Sequence, residues 1–172
     1  MQDQVSNLQQ REIKALSITS AMSRREIDIA LDNSAYGNYK FLYVSPERLE
    51  TELFQASLHK MNVNLVAIDE AHCISQWGYD FRPSYLNIAK LRKQLSDVPF
   101  LALTATATTN VVNDIQEKLE FKKKNLIQKS FERSNLAYVV LKEEDQLGKM
   151  LKVLDGVKGS GVIYVNLSLI HI

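Results

Sequence analysis

Four short apolar runs, separated by longer amphipathic stretches, constrain the fold of this chain more than any other feature. The runs are Phe41–Val44, Val63–Ile68, Phe100–Leu103 and Gly161–Val165. Runs this short, rich in branched residues and apolar at successive positions, are typical of strands that are buried on both faces. Because helical patterns alternate with them, the sequence predicts an α/β fold in which helices flank a parallel sheet.

The stretches between the runs carry helix start signals. Ser23 and Glu26 have the spacing of a capping box, and Pro46 can occupy the first position of another helix. Thr108 or Thr109 can cap a third helix through a side-chain hydroxyl. Helices are therefore expected to begin near residues 23, 46, 108 and 144.

Composition and charge exclude few functional classes. The 172 residues suffice for one domain with a core, or one domain and part of another. The net charge is +1, so the whole-chain basic field of many nucleic-acid-binding proteins is absent, although a local groove can still be basic. The single cysteine, Cys73, excludes an intrachain disulfide and, without a secretory segment, indicates a reducing compartment. No apolar run approaches the roughly 20 residues that cross a bilayer, so no membrane partner is expected.

Two adjacent carboxylates, Asp69 and Glu70, directly follow the apolar run Val63–Ile68. In parallel sheets the chemistry lies at the carboxyl ends of the strands, and buried paired carboxylates require a cation or hydrogen-bond donors. Phosphoryl-transfer enzymes use such a pair, in which the first carboxylate holds Mg²⁺ and the second positions or polarises water. A helix N-cap explains the same pair equally well, so the pattern alone leaves both interpretations open.

An aromatic segment follows the acid pair. Trp77, Tyr79 and Phe81 alternate with polar residues and precede Arg82. Aromatic faces stack on bases of any sequence, at roughly 1–3 kcal/mol per base, and arginine can contact a phosphate or stack on a base. Composition alone favours the alternative that these aromatics pack in the core and Arg82 stays solvated.

The residues Asp-Glu-Ala-His-Cys-Ile-Ser-Gln-Trp-Gly-Tyr-Asp-Phe-Arg-Pro, from Asp69 to Pro83, carry a close family resemblance. They resemble the Walker B motif of superfamily 2 helicases running into the aromatic-rich loop of the RecQ family. Further segments resemble RecQ motifs in the family order. They are Met1–Val5 (the tail of motif Ia), Tyr43–Arg48, Leu103–Ala107 (motif III), Phe131–Leu136 (with Ser134 in place of a proline) and Gly161–Val165 (the opening of motif IV).

This resemblance implies a fold and a domain organisation. It implies a RecA-like parallel sheet flanked by helices, as in an ATP-dependent DNA helicase of the DEAH-box type. Residues 1–129 would form a partial first RecA-like domain, from motif Ia to motif III. Residues 130–142 would form an interdomain linker, and residues 143–172 the start of a second RecA-like domain.

The resemblance also implies a site. The implied catalytic residues are Asp69, Glu70, His72, Thr104 and Thr106. Asp69 and Glu70 would serve ATP, with Asp69 as the Mg²⁺ ligand. The implied nucleic-acid-binding residues are Gln2, Gln4, Gln76, Trp77, Phe81 and Arg82. His72 would link the acid pair to the DNA-sensing loop, and Thr104 and Thr106 would couple nucleotide state to domain movement. The hydroxyls of Thr104 and Thr106 could cap the following helix instead, or could have both roles.

The implied activity is 3′-to-5′ translocation on single-stranded and partly duplex DNA, driven by ATP hydrolysis, in recombination and repair. The implied location is the cytoplasm of a bacterial type of cell, in association with the nucleoid. Cys73 is expected to be an inert packed residue, because His72 and Cys73 without a second ligand cluster do not make a zinc site.

Two parts of the family's active site are missing from the sequence. No Gly-Xaa-Xaa-Xaa-Xaa-Gly-Lys-Ser/Thr loop occurs, and the family's arginine finger would lie beyond Ile172. Residues 166–172 also depart from the motif IV pattern. A gene fragment or a shifted reading frame is therefore expected, with exposed apolar surface and almost no ATP hydrolysis by the chain alone.

Two other functions remain open at the level of sequence. The chain could be a non-catalytic module that binds single-stranded nucleic acid through Trp77, Phe81 and Arg82. It could also be a metal-dependent hydrolase that uses the same acid pair and is indifferent to DNA.

Overall fold

The computed structural model describes residues 1–78, 80–130 and 133–164. The chain divides into two compact units, Met1–Leu126 and Ile127–Ile172.

The first unit contains two pairs of parallel strands. The strands are β1 (Ala15–Ile18), β2 (Phe41–Val44), β3 (Val66–Ile68) and β4 (Phe100–Ala102). β1 pairs with β2 and β3 pairs with β4, both in parallel. The predicted parallel pairing is therefore confirmed, but within the described residues the strands form two separate two-stranded sheets and not one continuous sheet.

Helices and short turns cover these strands. The helices are α1 (Gln2–Gln10), α2 (Arg24–Tyr36), α3 (Glu52–Leu58), α4 (Asn87–Gln94) and α5 (Thr109–Lys118), and the 3-10 turns are Pro46–Glu50, Ala71–Ile74 and Pro83–Leu86. One buried cluster joins Ile18 of β1, Leu31 of α2, Ile68 of β3 and Ile115 of α5. A single hydrophobic core therefore connects both strand pairs, and the predicted α/β class is confirmed.

Two strand predictions need correction in length. β3 covers only Val66–Ile68 of the predicted run, and β4 ends at Ala102 instead of Leu103. Val66 donates its amide hydrogen to the carbonyl of Pro99. Pro99 has no amide hydrogen, so it cannot donate the next hydrogen bond of the ladder. The ladder therefore cannot continue towards the amino ends of these strands at that point.

Other elements were missed or broken. The prediction had no element at β1, where Ser17 interrupts a short apolar pattern, and none at the largely polar α1. The helix predicted from Pro46 is split, because the 3-10 turn Pro46–Glu50 ends at Thr51, whose ψ of 140° is extended. α3 then begins at Glu52.

The start of α2 is the helix signal that the structure reproduces most closely. The Ser23 side chain accepts a hydrogen bond from the Glu26 amide at 3.4 Å, and the Glu26 carboxylate accepts one from the Ser23 amide at 2.7 Å. Ile27, Ala30 and Leu31 are buried behind this capping box. The Ser23 hydroxyl also donates to the Glu26 carboxylate at 2.7 Å, and this bond, ahead of the one from the Ser23 amide, holds the pKa of the exposed Glu26 below its usual value.

Removing the cap should weaken the first unit measurably. We expect Ser23→Ala to lower the free energy of unfolding by about 1 kcal/mol, because free amides of the first helical turn lose their side-chain acceptor. Ser23→Thr keeps the hydroxyl and should retain most of the stability. Urea denaturation followed by circular dichroism measures both variants. Equal midpoints for the alanine variant and the parent chain would contradict this role.

One face of the β3–β4 pair is apolar and open. Leu65, Leu101 and Leu103 are 53%, 45% and 46% exposed, and Ala67 is exposed as well. These strands are therefore covered on one face only, which corrects the prediction of burial on both faces. This face is an exposed apolar surface of the first unit.

The second unit contains α6 (Gln146–Gly156) among its described residues. The Asp145 side chain caps this helix by accepting a 2.9 Å hydrogen bond from the Gly148 amide. The strand predicted over residues 161–165 is absent over residues 161–164, and Val165 lies outside the described residues. An isolated apolar run has no ladder partner, and the described part of this unit contains no other strand to supply one. No helix among the described residues is both long and apolar enough to span a membrane.

Candidate functional site

The turn after β3 brings the acid pair beside the end of β4. The Leu103 amide donates to the Ile68 carbonyl at 2.8 Å, and the Ala71 amide donates to the Leu103 carbonyl at 2.9 Å. Asp69 and Glu70 lie between these two bonds and are exposed. Both carboxylates are thus held at the carboxyl end of a parallel strand pair, accessible to a ligand.

Glu70 adopts a left-handed backbone conformation with a φ of 49°. A residue that carries a Cβ atom pays roughly 1–2 kcal/mol for this conformation, so the neighbouring bonds must hold it. The Glu70 amide donates to Asp69 Oδ1 at 2.9 Å, and a 3-10 turn begins at Ala71 immediately afterwards. The two hydrogen bonds that join Leu103 to Ile68 and to Ala71 help to offset the conformational cost of this sharp turn.

The imidazole of His72 joins the acid pair to the residues that follow β4. Its Nδ1 atom lies 3.0 Å from Thr104 Oγ1 and 3.3 Å from Glu70 Oε2. Thr104 Oγ1 also accepts a 3.3 Å hydrogen bond from the Thr106 amide. One ring nitrogen therefore contacts both a candidate catalytic carboxylate and the threonine segment.

The alternative interpretation of the two threonines as helix caps is wrong. α5 begins at Thr109, too far along the chain for Thr104 or Thr106 to satisfy its first amides. Thr108 occupies the N-cap position, but its side chain makes no capping hydrogen bond. Thr104 is instead half-buried against His72.

The donor set at this turn fits Mg²⁺ better than zinc. Asp69 and Glu70 offer exposed carboxylate oxygens, and the part of the chain that the structure describes has no group of three or more His, Cys, Asp or Glu placed to hold a metal. Mg²⁺ is usually held by one or two carboxylates together with waters and substrate phosphates, whereas zinc needs three or four protein ligands. Cys73 is buried, and burial raises the pKa of its thiol, so it stays protonated at neutral pH, as expected of a packed cysteine.

The segment Ser75–Arg82, called the aromatic loop below, follows the acid pair on the surface. The Trp77 side chain is 73% exposed, Gln76 and Arg82 are exposed, and Phe81 is partly buried. Tyr79 lies outside the described residues. Trp77 therefore does not pack in the core, contrary to the alternative that composition favoured.

Arg82 is held within the loop by an acidic neighbour. Its Nε atom lies 2.9 Å from Asp80 Oδ2, and the same oxygen accepts a second bond from the guanidinium. This bonding lowers the pKa of Asp80 and raises the pKa of Arg82. Both groups are exposed, so the pair is open to exchange with an external anion.

Backbone contacts close the aromatic loop into a compact turn. The Arg82 amide donates to the Cys73 carbonyl at 2.8 Å, and the Gly78 amide donates to the Ser75 carbonyl at 3.1 Å. A Cβ atom at Gly78 would come within 2.8 Å of the His72 carbonyl oxygen. Glycine is therefore required here by the close approach of the loop to the end of the acid-pair turn.

Comparison with known proteins decides the family. Residues 1–115 match the protein family described as DEAD/DEAH box helicase. The chain belongs to the DEAD/DEAH box helicase family. Its relatives place it among the RecQ helicases, as the resemblance implied.

Three bacterial relatives illustrate the similarity. The ATP-dependent DNA helicase RecQ of Bacillus subtilis is 48% identical over 147 residues, which cover 85% of this chain and 25% of that protein. The probable ATP-dependent DNA helicase RecS of Bacillus subtilis is 38% identical over 95% of this chain and 34% of its own length. The RecQ helicase of Haemophilus influenzae is 37% identical over 96% of this chain and 27% of its own length. The chain therefore spans about a quarter to a third of these relatives.

A solved helicase domain is also similar to this chain. The Hef helicase domain of Pyrococcus furiosus superposes with a TM-score of 0.44 and 21% identity, covering 63% of this chain and 21% of that one.

Four side chains in or beside the acid-pair turn and the aromatic loop were not predicted from the sequence. The hydroxyl of Tyr85 donates to the Asp69 carbonyl at 3.2 Å, and burial raises the pKa of Tyr85 to about 12. Ser75 and Asp114 form a 2.7 Å hydrogen bond, and Lys118 bonds Asp114 at 3.1 Å. The spacing of Asp114 and Lys118 by four residues was a readable signal for a pair on one helix face. Nothing in the sequence alone joins that pair to Ser75.

The two glutamines of the motif Ia segment lie elsewhere in the first unit. Gln2 and Gln4 are exposed on α1, which packs against β1 through Val5. Among the described residues, no hydrogen bond joins either glutamine to the acid-pair turn or to the aromatic loop. Their assignment to nucleic acid therefore still rests on the family resemblance.

Proposed function

We propose that this chain is the part of an ATP-dependent 3′-to-5′ DNA helicase of the RecQ type that positions Mg²⁺ and water and senses single-stranded DNA. The observation that carries the proposal is a physical connection. His72 contacts both Glu70 and Thr104, and the aromatic loop with exposed Trp77 follows His72 directly along the chain. The relatives named above are ATP-dependent DNA helicases, which supports ATP and DNA as the ligands.

The acid-pair turn supplies the chemistry in this proposal. Asp69 would hold Mg²⁺, which when bound neutralises charge on the β- and γ-phosphates of ATP. Glu70 orients the attacking water and accepts its proton, because its carboxylate is exposed and held by the left-handed turn. His72 fixes the position of Glu70. Its contact with Thr104 Oγ1, which accepts from the Thr106 amide, couples that position to the threonine segment.

The aromatic loop supplies the DNA contact. Trp77 stacks on an unpaired base, and Arg82 exchanges its exposed Asp80 partner for a backbone phosphate. This exchange leaves the Asp80 carboxylate without its cation, so the loop changes its internal bonds when DNA binds. Gln76 and the partly buried Phe81 flank Trp77 and would complete the contact.

The wider assignments belong to the same proposal. Residues 1–129 form the first RecA-like domain from motif Ia onwards, residues 130–142 the linker, and residues 143–172 the start of the second domain. Partly duplex DNA is the substrate, recombination and repair are the processes served, and the bacterial nucleoid is the place of action.

A chimera tests the proposal directly. The aligned 85% of this chain replaces the matching segment of the Bacillus subtilis RecQ helicase, to which it is 48% identical over 147 residues. We expect the chimera to hydrolyse ATP in the presence of Mg²⁺ and to be stimulated by single-stranded oligo-dT, as measured by phosphate release. A folded chimera whose ATP hydrolysis is unaffected by oligo-dT would contradict the proposed coupling between loop and site.

One observation favours a second candidate function for the chain on its own. Trp77 and Arg82 are both exposed on the surface of the first unit. The chain alone should therefore bind single strands weakly and in a salt-sensitive manner, without hydrolysing ATP. Fluorescence anisotropy of labelled oligo-dT with the parent chain and Trp77→Ala distinguishes this module from a chain that has no affinity for nucleic acid.

A further inference from the structure

Helix α5 is hydrogen-bonded to the beginning of the aromatic loop through a buried hydroxyl. Ser75 is fully buried, and its Oγ atom donates to Asp114 Oδ2 at 2.7 Å. The same carboxylate oxygen accepts from Lys118 Nζ at 3.1 Å, and Lys118 also donates to the Ile74 carbonyl at 3.2 Å. Asp114 and Lys118 therefore bind the loop as a pair.

The same buried hydroxyl also binds the backbone of Trp77. The Trp77 amide donates to Ser75 Oγ at 3.1 Å. A serine hydroxyl has one hydrogen to donate, so its bond to Asp114 aims its lone pairs and decides whether they can accept from Trp77. The carboxylate of Asp114 thus fixes the backbone position from which the exposed indole projects.

Lys118 also lies near the far side of the loop. Its Nζ atom is 6.0 Å from the centre of the Phe81 ring, at the outer limit of a cation–π contact. With its bond to the Ile74 carbonyl, one lysine contacts residues on both sides of Trp77 along the chain. α5 itself begins shortly after Thr104 and Thr106, so the helix that grips the loop is continuous with the segment that contacts His72.

We propose that Asp114 and Lys118 are positioning residues that hold the aromatic loop in the conformation in which Trp77 meets single-stranded DNA. The proposal rests on the proposed function, because it assumes that Trp77 is the DNA contact. Neither residue needs to touch DNA, since the side chains of Asp114 and Lys118 are only 21% and 28% exposed.

An ordinary helix pair explains less. Asp114 and Lys118 are four residues apart on α5, and such pairs stabilise helices slightly without any further role. The carboxylate, however, also bonds a fully buried hydroxyl of the loop, at a shorter distance than its bond to Lys118. The Ser75 hydroxyl is also the largest cause of the lowered pKa of Asp114, ahead of Lys118.

Trp77 is the single tryptophan of the sequence, so its fluorescence reports the loop without a label. The experiment compares the chain with Asp114→Ala, Asp114→Asn and Lys118→Met. Steady-state anisotropy and acrylamide quenching of Trp77 are measured first without DNA. Binding to a fluorescein-labelled oligo-dT is then measured by the anisotropy of the label. Glu117→Ala removes an exposed carboxylate from the same helix and is the matched control.

We expect Asp114→Ala to lower the Trp77 anisotropy, to increase its quenching and to weaken oligo-dT binding about 3- to 30-fold. Lys118→Met should change these quantities in the same direction. Asp114→Asn keeps an oxygen that can accept from Ser75, so it should restore most of both signals. Glu117→Ala should match the parent chain, and circular dichroism with urea midpoints identifies any variant that is unfolded.

Two results would overturn the proposal. The first is a folded Asp114→Ala chain whose Trp77 anisotropy, quenching and oligo-dT affinity equal those of the parent. The second is an asparagine variant that is as defective as alanine, because a helix charge and not the bond to Ser75 would then be at work. If the parent chain does not bind oligo-dT, the second candidate function, a binding module on its own, is ruled out, while the DNA-free Trp77 signals still decide whether α5 positions the loop.

Discussion

Glu70→Gln, placed in the chimera with the Bacillus subtilis RecQ helicase, is expected to lower the turnover number for ATP hydrolysis at saturating oligo-dT by about 100-fold or more. In the parent chain His72 Nδ1 lies 3.3 Å from Glu70 Oε2. Glutamine keeps the size of the side chain and an oxygen within reach of this nitrogen. It loses the negative charge that orients water and accepts its proton. The KM for ATP should therefore change far less than the turnover number, since the interaction lost is one made mainly in the transition state.

The matched control for this substitution is Glu117→Gln, which removes an exposed carboxylate of α5 away from the acid-pair turn. Its turnover number should equal that of the unmodified chimera. Phosphate release at a series of ATP concentrations gives both constants. An unchanged turnover number for Glu70→Gln would remove Glu70 from the chemistry, and a change confined to KM would make it a binding residue.

Trp77→Ala should weaken the binding of oligo-dT by the chain by about 5- to 150-fold, the equivalent of one stacked base at roughly 1–3 kcal/mol. The indole is 73% exposed, so its removal leaves no cavity in the core and should hardly alter the free energy of unfolding. Trp77→Phe retains an aromatic face and should recover part of the affinity. Fluorescence anisotropy of labelled oligo-dT at low salt measures all three proteins.

The chain offers a closely matched control for the indole. Tyr36 at the end of α2 is 72% exposed, almost the same fraction as Trp77, yet it lies outside the aromatic loop. Tyr36→Ala should bind oligo-dT as tightly as the parent. Equal losses for the two alanine variants would mean that binding reflects general stickiness of exposed aromatics, and would dismiss the loop as the DNA contact.

The sequence predicted the elements that depend on local pattern. The capping box at Ser23 and Glu26 requires only neighbouring residues, and the structure reproduces it with both bonds. The parallel pairing of short apolar strands follows from their alternation with helices, and the structure has it between the predicted strands β3 and β4, while the partner of β2 is the strand β1 that was not predicted. The strand predicted at residues 161–164 failed because a strand needs a partner, and apolar composition does not specify one.

The candidate site divides along the same line. The acid pair and the aromatic segment could be read directly, because their residue types and their order are local properties of Asp69–Pro83. The left-handed turn at Glu70 could not, because it is held by bonds to Leu103, whose position depends on how β4 pairs with β3. The bond between His72 and Thr104 likewise joins residues far apart in the chain.

By itself, the sequence determined the fold class, the family and the identity of the residues proposed to act, because periodicity and motif order are carried by neighbouring positions. Only the tertiary structure decided that Trp77 is exposed, that Thr104 faces His72 and does not cap α5, and that Asp114 holds Ser75. These contacts arise when strands pair and helices pack on a shared core. Their free energy therefore depends on partners that no local pattern names.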